Sequence, residues 1–196
     1  AENILMAHKG PHISIPSEYL VQRVLRIPSH EFEDWPEAVR DLAVMIAEEL
    51  FFVYANPFID PEIVRESVSS RWELERKGLA HHFTVSIDEG ITMFWSAHDA
   101  DQAFKQELLS RLKLILSPDS IDMRKNVLVE CATDATDLRM ELPLLVTRPS
   151  TVEEVEALVR LANEMKFALI PYGGGSGMTG GAVPARKRTV IISLAR

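Results

Sequence analysis

Cysteine is nearly absent from this sequence, because Cys131 is the single cysteine among 196 residues. One thiol cannot form an intrachain disulfide, and it cannot supply the ligands of a cysteine zinc site or an iron–sulfur cluster. Both kinds of scaffold are therefore excluded for this chain. A chain without disulfides is typical of the reducing cytosol. We expect a cytoplasmic protein, with peripheral attachment to the inner membrane through a partner as the alternative.

Long hydrophobic runs and excess basic charge are missing as well. The most apolar stretch, residues 42–55, contains Glu48 and Glu49 and is shorter than the roughly 20 residues that span a bilayer. The first residues lack the basic and apolar regions of a secretory signal. With 21 Lys and Arg against 29 Asp and Glu, the formal net charge is −8, which disfavours nucleic-acid binding. We expect neither a transmembrane segment nor a nucleic-acid partner.

Charge and glycine divide the sequence unevenly. Residues 1–130 carry 13 basic and 22 acidic side chains, whereas residues 131–196 carry 8 and 7. Six of the nine glycines lie between Gly173 and Gly181. This density requires either a special backbone geometry or real disorder. We expect an N-terminal extension over residues 1–130 and a second domain over residues 131–196.

The N-terminal extension is predicted to be mainly helical. Apolar residues at helical spacing predict a short helix over residues 17–25. A second helix starts at an Asp34–Glu37 capping box and ends at Asn56. A third runs from residue 60, which caps it, to residue 78.

A small sheet element is predicted within this helical region. Apolar residues alternate over residues 83–87 and 93–95, on either side of Asp88-Glu89-Gly90, a sequence that suits a tight turn. The pattern predicts a β-hairpin. A last helix then begins at a cap within residues 96–99 and closes at Ser117-Pro118.

The extension shows no catalytic or metal-binding constellation. His81 and His82 are adjacent, so in a strand their side chains leave from opposite faces and cannot easily share an ion. His98, Asp99 and Asp101 are interpreted as helix-capping residues. We assign no metal, and we expect the three tryptophans, Trp35, Trp72 and Trp95, in the apolar core.

The second domain has a clearer pattern, in the order strand, helix, strand, glycine loop, strand. Short strands are predicted at residues 126–129 and 144–147. A helix capped by Ser150 or Thr151 follows. Further strands are predicted at residues 167–171 and 189–194, with the glycine loop between them.

The glycine loop by itself leaves two interpretations open. It can aim consecutive backbone amides into a concavity that a diphosphate approaches closely, or it can be a mobile surface loop. A Rossmann site is excluded because the loop does not open a helix. A Walker loop is excluded because no glycine here is followed by Lys and then Ser or Thr.

Several motifs in fixed order carry a family resemblance. They are Thr133-Asp134-Ala135-Thr136, residues 142–146, the Pro149-Ser150-Thr151 segment with its acidic helix start, and residues 171–182. Together they resemble the start of the FAD-binding domain of the vanillyl-alcohol-oxidase/p-cresol-methylhydroxylase flavoproteins. The resemblance is strongest to the branch of the glycolate oxidase FAD subunit and D-lactate dehydrogenase. The fold class expected is therefore α+β, with residues 131–196 as the first α+β subdomain of the flavin domain.

The resemblance implies that main-chain amides of the loop hold the FAD pyrophosphate. It assigns cofactor binding to Tyr172, Gly173, Gly174, Gly175, Ser176, Gly177 and Gly181. Many relatives have arginine at the position of Tyr172, so a charge contribution is missing here while the amide contacts remain. The basic run at residues 186–188 is usually just solvated in such a turn. Asp134 and Asp137 are assigned turn or cap roles, and Cys131 is expected to be buried and unreactive.

The resemblance further implies an FAD-linked oxidoreductase that oxidises a small 2-hydroxy acid of the glycolate or D-lactate type, with flavin as hydride acceptor. This chain would be the N-terminal part of that larger enzyme, so alone it should be inactive and bind FAD weakly or not at all. In the alternative, residues 1–130 are an interaction or assembly module for an electron-transfer partner or a second copy. The glycine loop then binds no flavin in this chain.

Overall fold

The computed structural model describes residues 16–136 and 141–194, and within them the chain has seven α-helices and four β-strands. The helices are α1 (Ser17–Val24), α2 (Ser29–Glu33), α3 (Glu37–Ala55), α4 (Pro61–Glu75), α5 (His81–Leu112), α6 (Lys125–Glu130) and α7 (Val152–Met165). The strands are β1 (Ile121–Asp122), β2 (Leu145–Thr147), β3 (Ala168–Tyr172) and β4 (Thr189–Ser193). The predicted α+β class is confirmed. The described residues form two compact units, residues 16–100 and the residues from 101 onward.

Residues 16–100 form a helical unit with its own apolar core. In α3, Val39, Ile46 and Leu50 are buried at helical spacing, because one face of the helix packs against its neighbours. The helices predicted over residues 17–25 and 60–78 are confirmed, the latter as α4 followed by a short 3-10 turn. The predicted core positions of the three tryptophans are confirmed as well, since Trp35, Trp72 and Trp95 are all buried.

Helix starts in this unit follow the prediction in one case and depart from it in another. The Oδ1 atom of Asp60 accepts a hydrogen bond from the Glu62 amide at 3.0 Å, as expected of a cap. The prediction of a capping box at Asp34–Glu37 is wrong, because Pro36 occupies the cap position of α3. The Pro36 carbonyl accepts the Val39 amide at 2.9 Å, and the rigid ring sets the extended geometry that starts the helix.

The predicted β-hairpin around Asp88-Glu89-Gly90 is wrong, because these residues lie inside α5. Thr84, Ile87 and Phe94 are buried, three and seven residues apart, which is the spacing of a helical face. Gly90 is buried, and a Cβ added to it would lie 2.5 Å from the carbonyl oxygen of Leu25. The glycine therefore serves a close contact with the end of α1 rather than a turn.

The helix start predicted within residues 96–99 is also wrong, since α5 runs through them. The polar residues there make side-chain contacts with α4. Asp99 accepts a hydrogen bond from Nη2 of Arg65 at 2.6 Å, and buried His98 lies 3.3 Å from the same carboxylate. The Arg65 guanidinium lies 4.3 Å from the Trp95 ring centroid. These residues fasten α4 to α5 instead of capping a helix.

The second unit is built around a mixed four-stranded sheet in the order β1-β2-β4-β3. β2, β4 and β3 are parallel, whereas β1 pairs with β2 in antiparallel fashion. α7 connects β2 to β3, and β4 is inserted between these two strands. The predictions of β2, α7, β3 and β4 are thus confirmed, with bounds shifted by a residue or two.

The strand predicted at residues 126–129 is wrong, because this segment forms the helix α6. A four-residue apolar run fits either element by periodicity, and packing decides between them. Val127 and Leu128 pack in one cluster with Val146 of β2 and Ile191 of β4, on a face of the sheet. The edge position is occupied by β1. Among the described residues, no helix has the length and apolar character required to cross a membrane.

Candidate flavin site at the carboxyl edge of the sheet

Three parallel strands end at one edge of the sheet. β2 ends at Thr147, and Tyr172 of β3 is in register with Ser193 of β4. The Leu194 amide donates to the Tyr172 carbonyl at 2.9 Å, so the paired ends are held together. In open α/β sheets, ligands bind outside the carboxyl ends of the strands. This edge is therefore the candidate site.

A hollow of about 650 Å³ opens at this edge beside the start of α7. The cap predicted for α7 is confirmed, because Thr151 Oγ1 accepts the Glu154 amide at 3.2 Å. Both polar and apolar side chains line the hollow. Its lining residues are Arg148, Pro149, Ser150, Thr151, Val152, Val155, Ser193 and Leu194.

The glycine loop leaves β3 at the same edge and returns to β4. Residues 173–188 make this connection between parallel neighbours, and none of them is helical. A Cβ added to Gly173 or Gly174 would meet nothing within 4 Å, so this side of the loop faces open space. Gly175 and Gly180 have φ values of 67° and 73°, which non-glycine residues rarely adopt.

The first half of the loop presents unpaired amides. None of the backbone amides from Gly173 to Met178 donates a hydrogen bond to another residue in the described part of the chain. The residues are mostly exposed, Ser176 included. Successive free amides can form a concavity that suits an anion with several oxygens. The donor set therefore fits the phosphates of a dinucleotide.

Tyr172 supports the loop from within. Its hydroxyl donates to the Thr133 carbonyl at 3.3 Å, and a Cβ added to Gly175 would overlap that hydroxyl. Burial raises the pKa of Tyr172, so the phenol stays neutral. The Tyr172 side chain thus packs beneath Gly175.

The middle of the loop is held by the segment Thr133–Thr136. The Ala135 amide donates to the Gly177 carbonyl at 3.0 Å. Asp134 accepts the Thr136 amide at 2.9 Å, which is the turn role predicted for it. The Thr136 hydroxyl and amide hold the pKa of Asp134 below its usual value. Asp137, which was given a similar role, lies outside the described residues.

An ion-pair network around the buried Asp122, beside the hollow, was missed by the sequence analysis. Asp122 is 7% exposed and accepts from Nη2 of Arg124 at 2.7 Å and from Nη1 of Arg148 at 2.9 Å. Hydrogen bonds from Arg124, and then from Arg148, hold the pKa of Asp122 far below its usual range. No local pattern predicts a pair 26 residues apart, because the antiparallel pairing of β1 with β2 brings it together.

The expectation that residues 186–188 are simply solvated is wrong for Arg188. Its Nε donates to Asp101 Oδ1 at 2.9 Å, and its guanidinium lies 4.4 Å from the Phe104 ring centroid. Arg186 and Lys187 are exposed. Cys131 is buried, as expected, and burial raises the pKa of its thiol.

Comparison with known proteins identifies the class of domain at this edge. Residues 143–196 match the family model described as FAD binding domain. The resemblance to an FAD-binding domain that was predicted from the sequence is confirmed for this segment. FAD is the cofactor of this domain family.

Three curated relatives are similar to part of this chain. The chain is 47% identical over 49 residues to the D-2-hydroxyglutarate dehydrogenase of Xanthomonas citri pv. viticola, covering 25% of this chain and 10% of that protein. It is 43% identical over 47 residues to the D-lactate dehydrogenase of Archaeoglobus fulgidus, covering 24% and 11%. It is 32% identical over 50 residues to the glycolate oxidase subunit GlcD of Escherichia coli, covering 26% and 10%. The chain thus spans about a tenth of the length of these relatives.

Proposed function

We propose that residues 131–196 form the first subdomain of the FAD-binding domain of an FAD-linked oxidoreductase that oxidises a small 2-hydroxy acid. Residues 1–130 are then an extension that precedes this domain. The observation that carries the proposal is the run of unpaired amides from Gly173 to Met178, at the carboxyl edge of a parallel sheet and inside the segment that matches the FAD binding domain.

The proposed cofactor contacts are the loop residues expected from the sequence. They are Tyr172, Gly173, Gly174, Gly175, Ser176, Gly177 and Gly181. Gly173 and Gly174 leave the backbone open to phosphate oxygens, because no side chain or neighbouring atom occupies that space. Ser176 can add a hydroxyl donor. Tyr172 contributes through its backbone and through the packing of its ring.

In the proposed reaction the cofactor supplies the redox chemistry, and this chain supplies binding and orientation. Bound FAD would supply a flavin that accepts a hydride. The residues of this chain bind and orient the dinucleotide through amides and hydroxyls. D-lactate, D-2-hydroxyglutarate and glycolate, in the names of the relatives, are all small 2-hydroxy acids. A substrate of this class is therefore proposed for the full-length protein.

Titration with FAD, followed by absorbance and by quenching of flavin fluorescence, tests the proposal. The full-length protein should carry FAD, whereas this 196-residue chain alone should bind it with a Kd weaker than about 1 μM, because part of a site offers few contacts against the entropy of holding a large ligand. A colourless full-length protein that does not take up FAD would contradict the proposed function. Micromolar or tighter binding by the chain alone would contradict the weak-binding argument.

A second function, as an interaction module, is favoured by the surface of the helical unit. Phe52, Ile63 and Leu74 are 50%, 66% and 68% exposed. Residues 16–100 carry 16 acidic and 7 basic side chains. This surface suits an electron-transfer partner or a second copy of the chain, and through such a partner a cytoplasmic protein could be held at the inner membrane.

Light scattering on the full chain tests whether the chain associates with a second copy of itself. A mass above 22.1 kDa that falls to the monomer value in the Ile63→Ser variant would support it. A strictly monomeric wild-type chain would exclude self-association and leave only binding to a different protein. Cross-linking of the full-length protein to its electron acceptor would test that binding.

A further inference from the structure

The segment Thr133–Thr136 lies against the glycine loop and contacts it at three places. The Tyr172 hydroxyl donates to the Thr133 carbonyl at 3.3 Å, before the loop begins. The Ala135 amide donates to the Gly177 carbonyl at 3.0 Å, in the middle of the loop. A Cβ added to Gly177 would lie 3.6 Å from Asp134 Oδ2, so the carboxylate packs directly against the loop.

The two oxygens of Asp134 have different surroundings. Oδ1 accepts both the amide and the hydroxyl of Thr136, at 2.9 and 2.5 Å. Oδ2 is buried and has no hydrogen-bond partner among the described residues. After the Thr136 hydroxyl and amide, the backbone amides of Ala182 and then Gly180 also lower the pKa of this carboxyl. A buried anionic oxygen is unfavourable unless such dipoles point towards it.

We propose that Asp134 is a positioning residue for the cofactor loop: its carboxylate holds the Thr133–Thr136 turn against Gly177, so that the amides from Gly173 to Met178 stay free for phosphate. The inference rests on the proposed function, because it is the binding of phosphates that gives a fixed loop its purpose. It adds a role for a residue outside the set of proposed cofactor contacts.

The negative charge of Asp134 has two opposing effects on FAD binding. It orders the loop, which favours binding, and it repels the pyrophosphate, which disfavours binding. Asp134→Asn keeps the size of the side chain and removes the charge. If repulsion dominated, this variant would bind FAD more tightly. If positioning dominates, it binds more weakly, and we expect about a tenfold loss, because an amide oxygen accepts the Thr136 hydrogen bonds less strongly than a carboxylate does and holds the turn less firmly.

Two measurements on matched variants test the proposal. Hydrogen exchange of the full chain without FAD, followed by mass spectrometry, reports the order of residues 177–182 directly. FAD titration of the full-length protein reports affinity. The control is Asp119→Asn, which removes the same charge from an exposed position in a 3-10 turn. We expect Asp134→Asn to speed exchange in the loop about tenfold, while the control leaves exchange and affinity unchanged.

The outcomes separate the positioning role from the proposed function. Unchanged loop exchange in Asp134→Asn, or tighter FAD binding, would overturn the positioning role. Faster loop exchange in a protein that never binds FAD would support the positioning of the loop and contradict the flavin function. If Asp134→Asn does not fold, Tyr172→Phe replaces it, because it removes only the hydroxyl that reaches Thr133. Faster exchange of the loop in that variant supports the role of the Thr133–Thr136 segment, and unchanged exchange counts against it.

Discussion

Replacing Gly90 by alanine examines the closest contact in the helical unit. The added Cβ would lie 2.5 Å from the Leu25 carbonyl oxygen and 2.9 Å from the Cα and Cβ atoms of Leu25. Ordinary Cβ contacts begin at 3.4 Å, so α5 and the end of α1 would have to separate by about 1 Å. Because the contacted atoms belong mainly to the backbone, a change of rotamer cannot relieve the overlap.

The expected loss of stability follows from two opposing terms. Overpacking of a well-packed core costs about 1–3 kcal/mol. Alanine is favoured over glycine within a helix by about 1 kcal/mol. A backbone overlap belongs at the upper end of the first range, so Gly90→Ala should destabilise the protein by about 2 kcal/mol.

Urea denaturation followed by far-UV circular dichroism measures this change. Gly78→Ala is the matched control, because a Cβ at Gly78 meets nothing within 4 Å, and its effect should stay within about 0.5 kcal/mol. A Gly90→Ala variant as stable as the wild type, or more stable, would show that α5 does not approach Leu25 this closely. The assignment of Gly90 to a helix contact would then fail.

Two further predictions concern the second unit. Gly175→Ala forces a left-handed conformation on alanine and overlaps the Tyr172 hydroxyl, so it should lower the free energy of unfolding by about 1–2 kcal/mol. Gly173→Ala should leave stability unchanged yet weaken FAD binding of the full-length protein. Equal urea midpoints for the two variants would contradict this contrast. The folded-state pKa of Asp122 is depressed, so its contribution to stability is present above the unfolded-state pKa of about 4 and is lost as pH falls below it. Asp122→Asn should lower the urea midpoint at pH 7 and flatten the acid dependence below about pH 4, and an unchanged acid profile would argue against the ion-pair network.

Sequence reasoning failed where a short pattern fits two elements equally well. Residues 83–95 alternate as a strand does, and their buried members also lie on one face of a helix. The turn predicted at Gly90 is wrong, because the missing Cβ of this glycine allows a close contact with Leu25. The run at residues 126–129 was ambiguous in the same way. In each case the decision came from partners distant in sequence, which no window of neighbouring residues contains.

The parts of the candidate site that depend on neighbouring residues were predicted from the sequence, and the parts that join distant residues were missed. The strand, helix, strand and glycine-loop order follows from short-range signals, namely apolar runs, the Thr151 cap and a dense glycine cluster. The packing of Asp134 against Gly177 and the pairing of Asp122 with Arg148 join residues far apart along the chain. Only the pairing of strands brings such groups together.

The amino-acid sequence alone determined the α+β class, the position of the glycine loop and the flavoprotein resemblance, because backbone preferences and motif spacing act over a few residues. The tertiary structure decided which apolar runs became helix, which glycine allows a close helix contact, and which carboxylates hold arginines or the loop. Those outcomes depend on burial and on long-range hydrogen bonds, whose free energies exceed local propensities once the chain is folded.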